Sequence, residues 1–171
     1  MTLMKHLLIA ALLLIAQTPT ADPTVPPATA HAVFTVDGVG VQIYRCTPQP
    51  GGTFTWAFEA PEAKLLDRNT HEQIGSHSAG PTWTWTDGSA ITGKLLQSKP
   101  SGDPAVIPWL LLETHPTGEI KGALSGITFV RRSETQAGGA PSYGCDAERA
   151  NTLIRVPYGA IYTFYGEPQA L

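Results

Sequence analysis

The sequence has few charged residues and no cluster of basic ones. Charged side chains make up 15% of the 171 residues, against roughly 25% in an average soluble domain. The longest basic run is the pair Arg131–Arg132, and the formal net charge is −3. Nucleic acid binding needs a basic surface that displaces counterions, and binding to anionic lipid needs a polybasic segment. Neither nucleic acid nor a charged membrane surface is therefore a predicted partner.

Long apolar runs are also scarce. The one run at the N-terminus, Leu7–Ala16, has ten residues, well short of the roughly 20 that cross a bilayer as a helix. It follows a short segment with Lys5 and precedes a polar, small-residue region that ends at Ala21. This arrangement is typical of a cleaved secretory signal. We therefore predict a signal peptide over residues 1–21, an exported protein in the periplasm or the extracellular space, and no integral membrane segment in the mature chain.

The rest of the chain divides into two parts. Residues 22–30 are rich in proline and small side chains, which indicates an extended linker without a fixed fold. Residues 31–171 are predicted to form a single domain, because their length suits one core rather than two.

No segment of ten or more residues shows amphipathic helical spacing, which excludes a helical bundle. Alternation with a period of two dominates instead, for example in Val39–Arg45, in Thr53–Ala60 and in Thr82–Thr86. Asp37–Gly38 and Pro157–Gly159 resemble hairpin turns. The chain is therefore predicted to be all-β, a single-domain antiparallel β-sandwich, with a small closed β-barrel as the alternative. We favour the sandwich because glycine and proline interrupt most of the candidate strands.

Cysteine is nearly absent. Cys46 and Cys145 are the only two, so there is neither a Cys-x-x-Cys redox pair nor a cysteine-rich zinc site. In an exported protein an even number of cysteines favours a disulfide, and we predict the Cys46–Cys145 bridge. Two buried free thiols or an intermolecular bridge are the alternatives.

The usual catalytic signatures are missing. There is no His-Glu-x-x-His and no Gly-x-Ser-x-Gly, although Ser76 and Ser78 flank His77. The glutamate pairs Glu59 with Glu62 and Glu113 with Glu119 are candidates for glycosidase carboxylates. Solvated surface acids are the simpler interpretation. We predict no catalytic residue.

Metal ligands are equally sparse. His71 and His77 share a face if they lie on one strand, and Glu113 lies close to His115 in the sequence. A zinc site needs three or four converging ligands, and the spacing gives no such set. We predict no metal and no cofactor.

The most distinctive stretch is Ile74–Gly93, which combines a histidine, a Gly-Pro turn and two tryptophans. Indoles stack on sugar rings and other planar groups, and a nearby imidazole or carboxylate binds hydroxyls. We predict a ligand site there with Tyr44 as an outer candidate and four principal residues: His77, Trp83, Trp85 and Asp87. The alternative is that Trp83 and Trp85 are core residues on the inner face of a sheet.

Several blocks together resemble an uncharacterised family of exported proteins, domain of unknown function 3455. They cover roughly Ala32 to Gly166 and comprise Val41–Cys46, Trp56–Leu65, Gly75–Ser89, Pro108–Glu113, Tyr143–Ala147 and Arg155–Tyr165. The resemblance implies a single secreted or periplasmic domain. It implies no activity, cofactor or functional residue.

These observations favour a non-catalytic binding or structural module of the cell envelope or extracellular space, whose partner is a small molecule or a glycan. An envelope hydrolase acting on glycan or ester substrates is the alternative, and an assembly component of the cell surface is a third class.

Overall fold

Eight antiparallel strands form one closed barrel in the computed structural model, which describes residues 21–117 and 121–166. Strands adjacent in the sequence are adjacent in the sheet, and β8 closes the barrel by pairing with β1. Residues 1–20 of the predicted signal peptide lie outside the described residues. The strands are β1 His31–Pro48, β2 Phe54–Asp67, β3 Gln73–Ser78, β4 Thr82–Trp85, β5 Ala90–Lys99, β6 Trp109–Pro116, β7 Ile127–Ala137 and β8 Leu153–Gly166.

The all-β prediction is confirmed, but the β-sandwich is wrong and the small closed barrel is the correct alternative. Asp37–Gly38 and Pro157–Gly159 are not turns, since both lie inside long continuous strands that pair with each other, Asp37 with Ile161 and Val41 with Pro157. The long strand β1 pairs with β2 along one edge and with β8 along the other, which closes the barrel. Two shorter hairpins at these positions would instead have favoured separate sheets.

Gly38 serves interior packing rather than chain reversal. A Cβ at this position would overlap the ring of Tyr162, which is buried inside the barrel. The glycine therefore leaves room for a large aromatic side chain from β8. This requirement explains why a glycine stands in the middle of a strand.

The interior is filled at one end of the barrel. Apolar residues from all eight strands pack there, including Val36, Leu65, Trp83, Ile91, Leu112, Val130 and Phe164. A smaller cluster, made of Tyr44, Cys46 and Trp56 with Cys145 packed against it, lies around the disulfide. Between these clusters the interior is only partly filled, and this space contains the site described below.

The predicted disulfide is confirmed. Cys46 and Cys145 are bonded with an S–S distance of 2.08 Å and are 99 residues apart in the sequence. The bond joins the end of β1 to the loop before a 3-10 turn at Ala147–Arg149. It thus fixes the long β7–β8 connection to the barrel.

Residues 22–30, expected to be an extended linker, make specific contacts with the barrel. The Asp22 carboxylate accepts hydrogen bonds from Lys99 Nζ at 3.1 Å and from Arg131 Nη2 at 3.1 Å, and Thr24 is fully buried. Desolvation would raise the pKa of Asp22, but hydrogen bonds from Thr24 and Lys99 outweigh it and lower that pKa to about 2. The segment therefore lies against the outside of β5 and β7. Among the described residues, no helix is both long and apolar enough to cross a membrane.

Candidate ligand-binding cavity

A cavity of about 480 Å³ occupies the partly filled region of the barrel. Its volume falls within the range of roughly 300–1,000 Å³ typical of small-molecule sites. Residues from all eight strands and two connecting segments line it: Gln42, Tyr44, Phe58, Glu59, Pro61, His77, Gly80, Pro81, Trp83, Leu95, Ser98, Ile107, Pro108, Leu110, Leu112, Arg132 and Tyr162.

The cavity opens where the strands of the barrel wall are unequal in length. β2 pairs with β3 only over Ala63–Leu66, and β5 pairs with β4 only over Ala90–Thr92. The first half of β2 and the second half of β5 therefore extend past the short β3–β4 hairpin without meeting each other. The resulting gap is bordered by Phe58 of β2, Pro81 of the hairpin and Leu95 of β5, which all line the cavity.

The rim of this opening is apolar and exposed. Phe58 is 56% exposed and Leu95 is 53% exposed. Inside, Leu110, Leu112 and Ile107 continue the apolar lining. An apolar molecule could therefore remain in contact with hydrocarbon from the rim to the interior, and would gain roughly 25 cal/mol for each Å² of apolar surface removed from water.

His77 lies in the inner wall and is neutral at physiological pH. Its ring stacks on Trp83 with centroids 4.6 Å apart, and its Nδ1–H donates to the Thr82 carbonyl at 3.0 Å. Burial is the main cause that lowers its pKa to about 4, and the Arg132 charge adds to it against the opposing effect of the Thr82 hydrogen bond. Because Nδ1 carries the proton, Nε2 is left as a hydrogen-bond acceptor.

Arg132 brings a positive charge into the same wall. It is only 8% exposed, and its Nε and Nη2 both donate to the Pro108 carbonyl, at 3.1 and 2.9 Å. In the part of the chain that the structure describes, it forms no ion pair. Arg132 also lies close enough to the Tyr162 hydroxyl for a hydrogen bond from the guanidinium to lower the pKa of that phenol.

Three tyrosines complete the polar part of the interior. Tyr44 donates to the Gly138 carbonyl at 2.6 Å, and the hydroxyls of Tyr158 and Tyr162 lie 3.0 Å apart. Desolvation raises the pKa of all three phenols. They are therefore neutral and do not balance the Arg132 charge.

The structure separates the four principal residues of the predicted site. His77 and Trp83 line the cavity, whereas Trp85 packs against Phe34 and Phe164 in the filled end of the barrel. Both tryptophans face inward, as the core alternative expected, so they do not form a platform on the surface. Whether His77 and Trp83 contact a ligand stays a prediction.

Asp87 holds two loop segments together and does not line the cavity. Its carboxylate accepts hydrogen bonds from the Ser89 N–H and O–H, at 2.9 and 2.6 Å, and from the Ala123 N–H at 2.7 Å. Hydrogen bonds from Ser89 and Ala123 lower its pKa. It therefore ties the β4–β5 turn to the segment before β7, away from the residues that line the cavity.

Tyr44, the outer candidate, does line the cavity. Arg132 and Gln42 line it as well, although neither was predicted from the sequence. Alternation supplied a signal for Arg132, because Val130 and Arg132 share a face that Arg131 does not. The expectation that arginine stays at the surface obscured it.

The described residues do not form the arrangements that the catalytic alternatives would need. No serine hydroxyl there is hydrogen-bonded to a histidine, and the partner of His77 is a carbonyl rather than a carboxylate. Glu59 pairs with Arg45 and Glu62 pairs with Arg155, while Glu119 lies outside the described residues. No group of three or more histidine, cysteine and acidic side chains converges on a metal position in residues 21–117 and 121–166.

The fold and the cavity define the class of this protein as a single up-and-down β-barrel with an internal, laterally open cavity. The chain belongs to the family described as "Protein of unknown function (DUF3455)", whose model matches residues 27–166. The resemblance found in the sequence is thereby confirmed. No curated protein and no solved structure matches the chain.

Proposed function

We propose that this protein is a non-catalytic binding module that holds a small, largely apolar molecule in its barrel cavity, outside the cytoplasm. The observation that carries the proposal is the cavity of about 480 Å³ with an apolar rim at Phe58 and Leu95. An exposed apolar rim that continues into an apolar interior suits an apolar ligand better than a glycan, which would require many hydrogen-bonding groups.

The Cys46–Cys145 disulfide supports the extracytoplasmic part of the proposal. Disulfides persist in the periplasm and outside the cell and are rare in the cytosol. Export itself stays a prediction, and a direct check is whether the mature protein, recovered from the host, begins near Asp22.

The test uses N-phenyl-1-naphthylamine, an uncharged dye that fluoresces strongly in apolar surroundings. The dye is expected to bind one site per chain in the protein without substitutions. Leu95→Trp places a larger side chain at the rim and is expected to weaken binding at least fivefold. Leu96→Trp is the matched control, because Leu96 is also exposed on β5, at 42%, but does not line the cavity.

Two results would contradict the proposal. One is the absence of saturable dye binding by the folded protein. The other is an equal loss of affinity in the Leu95→Trp and Leu96→Trp variants, which would place the dye on the outer surface. Excitation of the dye near 340 nm avoids the introduced indoles.

A further inference from the structure

Arg131 and Arg132 are adjacent on β7 but serve opposite faces of the barrel. Arg131 points outward, where it donates to Asp22 at 3.1 Å and lies over the Trp109 ring. Arg132 points inward and lines the cavity. Side chains alternate along a strand, so one of two consecutive arginines on a barrel strand must face the interior.

The Arg132 charge has no counter-ion among the described residues. Its contact with the Pro108 carbonyl satisfies one edge of the guanidinium but supplies no negative charge. Among the described residues that line the cavity, Glu59 is the only acidic one, and it is already paired with Arg45 at the exposed rim. A buried charge without an opposite partner is costly, so the cavity favours an anion beside the Arg132 guanidinium.

One further polar group of the wall strengthens this preference. Trp83 Nε1 is a buried N–H donor without an acceptor among the described residues. It is shielded from solvent, so it acts through its dipole rather than by direct contact. A cavity wall that holds a guanidinium and an unpaired N–H donor presents a positive potential to its contents.

We propose that the ligand carries a carboxylate, which pairs with Arg132 while its apolar body fills the cavity toward Phe58 and Leu95. This inference rests on the proposed binding function. A carboxylate matches the planar guanidinium edge and carries a single negative charge. A phosphate monoester would bring a second charge that no other side chain lining the cavity is free to balance.

The first experiment compares two ligands of equal length on the protein without substitutions. Octanoate and octan-1-ol are titrated calorimetrically at pH 7.5, where the acid is ionised. Octanoate is expected to bind at least tenfold more tightly, although octanol is more apolar. Equal binding, or tighter binding of octanol, would overturn the carboxylate assignment and leave the binding function intact. Failure of both ligands and of the uncharged dye would overturn the two proposals together.

The second experiment identifies the residue. Arg132→Met is expected to weaken octanoate binding at least tenfold and to change octanol binding less than threefold. Arg131→Met removes the neighbouring charge on the outer face and is expected to retain the octanoate affinity. Retention of octanoate affinity in a folded Arg132→Met protein would refute the role of Arg132. If that variant does not fold, the comparison of octanoate with octanol on the unsubstituted protein still decides for or against a carboxylate ligand.

Discussion

Protonation of His77 is expected to destabilise the barrel at mildly acidic pH. The imidazole is buried between Trp83 and Tyr162 and lies near the Arg132 charge. Burial is the main cause that lowers its pKa from 6.5 to about 4. Between these two values the unfolded chain binds a proton that the folded chain does not. The contribution of His77 to stability is therefore fully present above pH 6.5 and is lost as the pH falls toward 4.

The size of the effect follows from the two pKa values. Each pH unit between them corresponds to about 1.4 kcal/mol, so lowering the pH from 7 to 5 is expected to reduce the free energy of unfolding by about 2 kcal/mol through His77 alone. Free carboxyl groups have ordinary pKa values below this window. The comparison of variants then assigns the loss to His77.

Urea denaturation at a series of pH values measures the loss. His77→Asn keeps a donor that can reach the Thr82 carbonyl but cannot titrate, so its stability is expected to vary about 2 kcal/mol less between pH 7 and 5. His71→Asn is the matched control, because His71 is exposed and has a φ of 61°, a conformation that asparagine tolerates well. The control is expected to retain the original pH dependence. An equal pH dependence in the His77→Asn variant and the original protein would refute the burial argument.

Two further predictions concern the Cys46–Cys145 disulfide and the packing of the barrel interior. Replacing Cys46 and Cys145 together by serine removes a bond between residues 99 positions apart. The free energy of unfolding, measured by urea denaturation, is expected to fall by about 4–5 kcal/mol. A loss below about 1 kcal/mol would contradict the chain-entropy account. Gly38→Ala places a methyl group against the Tyr162 ring and is expected to lower the free energy of unfolding by about 1–3 kcal/mol through overpacking. Gly51→Ala, in an open turn with a positive φ, would instead lose stability through backbone strain. Unchanged stability of Gly38→Ala would show that the Tyr162 ring has room to move.

The strands were predictable because their pattern is local. Alternation placed Trp83 on an inward face, and the buried position of that residue agrees with the core alternative. The even cysteine count predicted the disulfide. These features depend on neighbouring residues and on composition, which the sequence displays directly.

Closure of the barrel was not predictable in the same way. It depends on the pairing of β1 with β8, whose partners are more than 100 residues apart. Asp37–Gly38 fits a hairpin turn equally well until Tyr162 is known to require the space at Gly38. Arg132 was missed for a related reason, because its burial beside the cavity depends on which face of β7 is inside.

The short β3–β4 hairpin has a consequence for association between copies of the chain. It leaves the backbone of β2 before Ala63 and of β5 after Gly93 without a neighbouring strand on one side. Unpaired strand edges invite another chain to extend the sheet. Here one edge contains Glu59, Pro61 and Glu62, and the other contains Lys94 and Lys99. Proline and charge on these edges discourage sheet extension, so the barrel can keep a lateral opening without offering it as a template for aggregation.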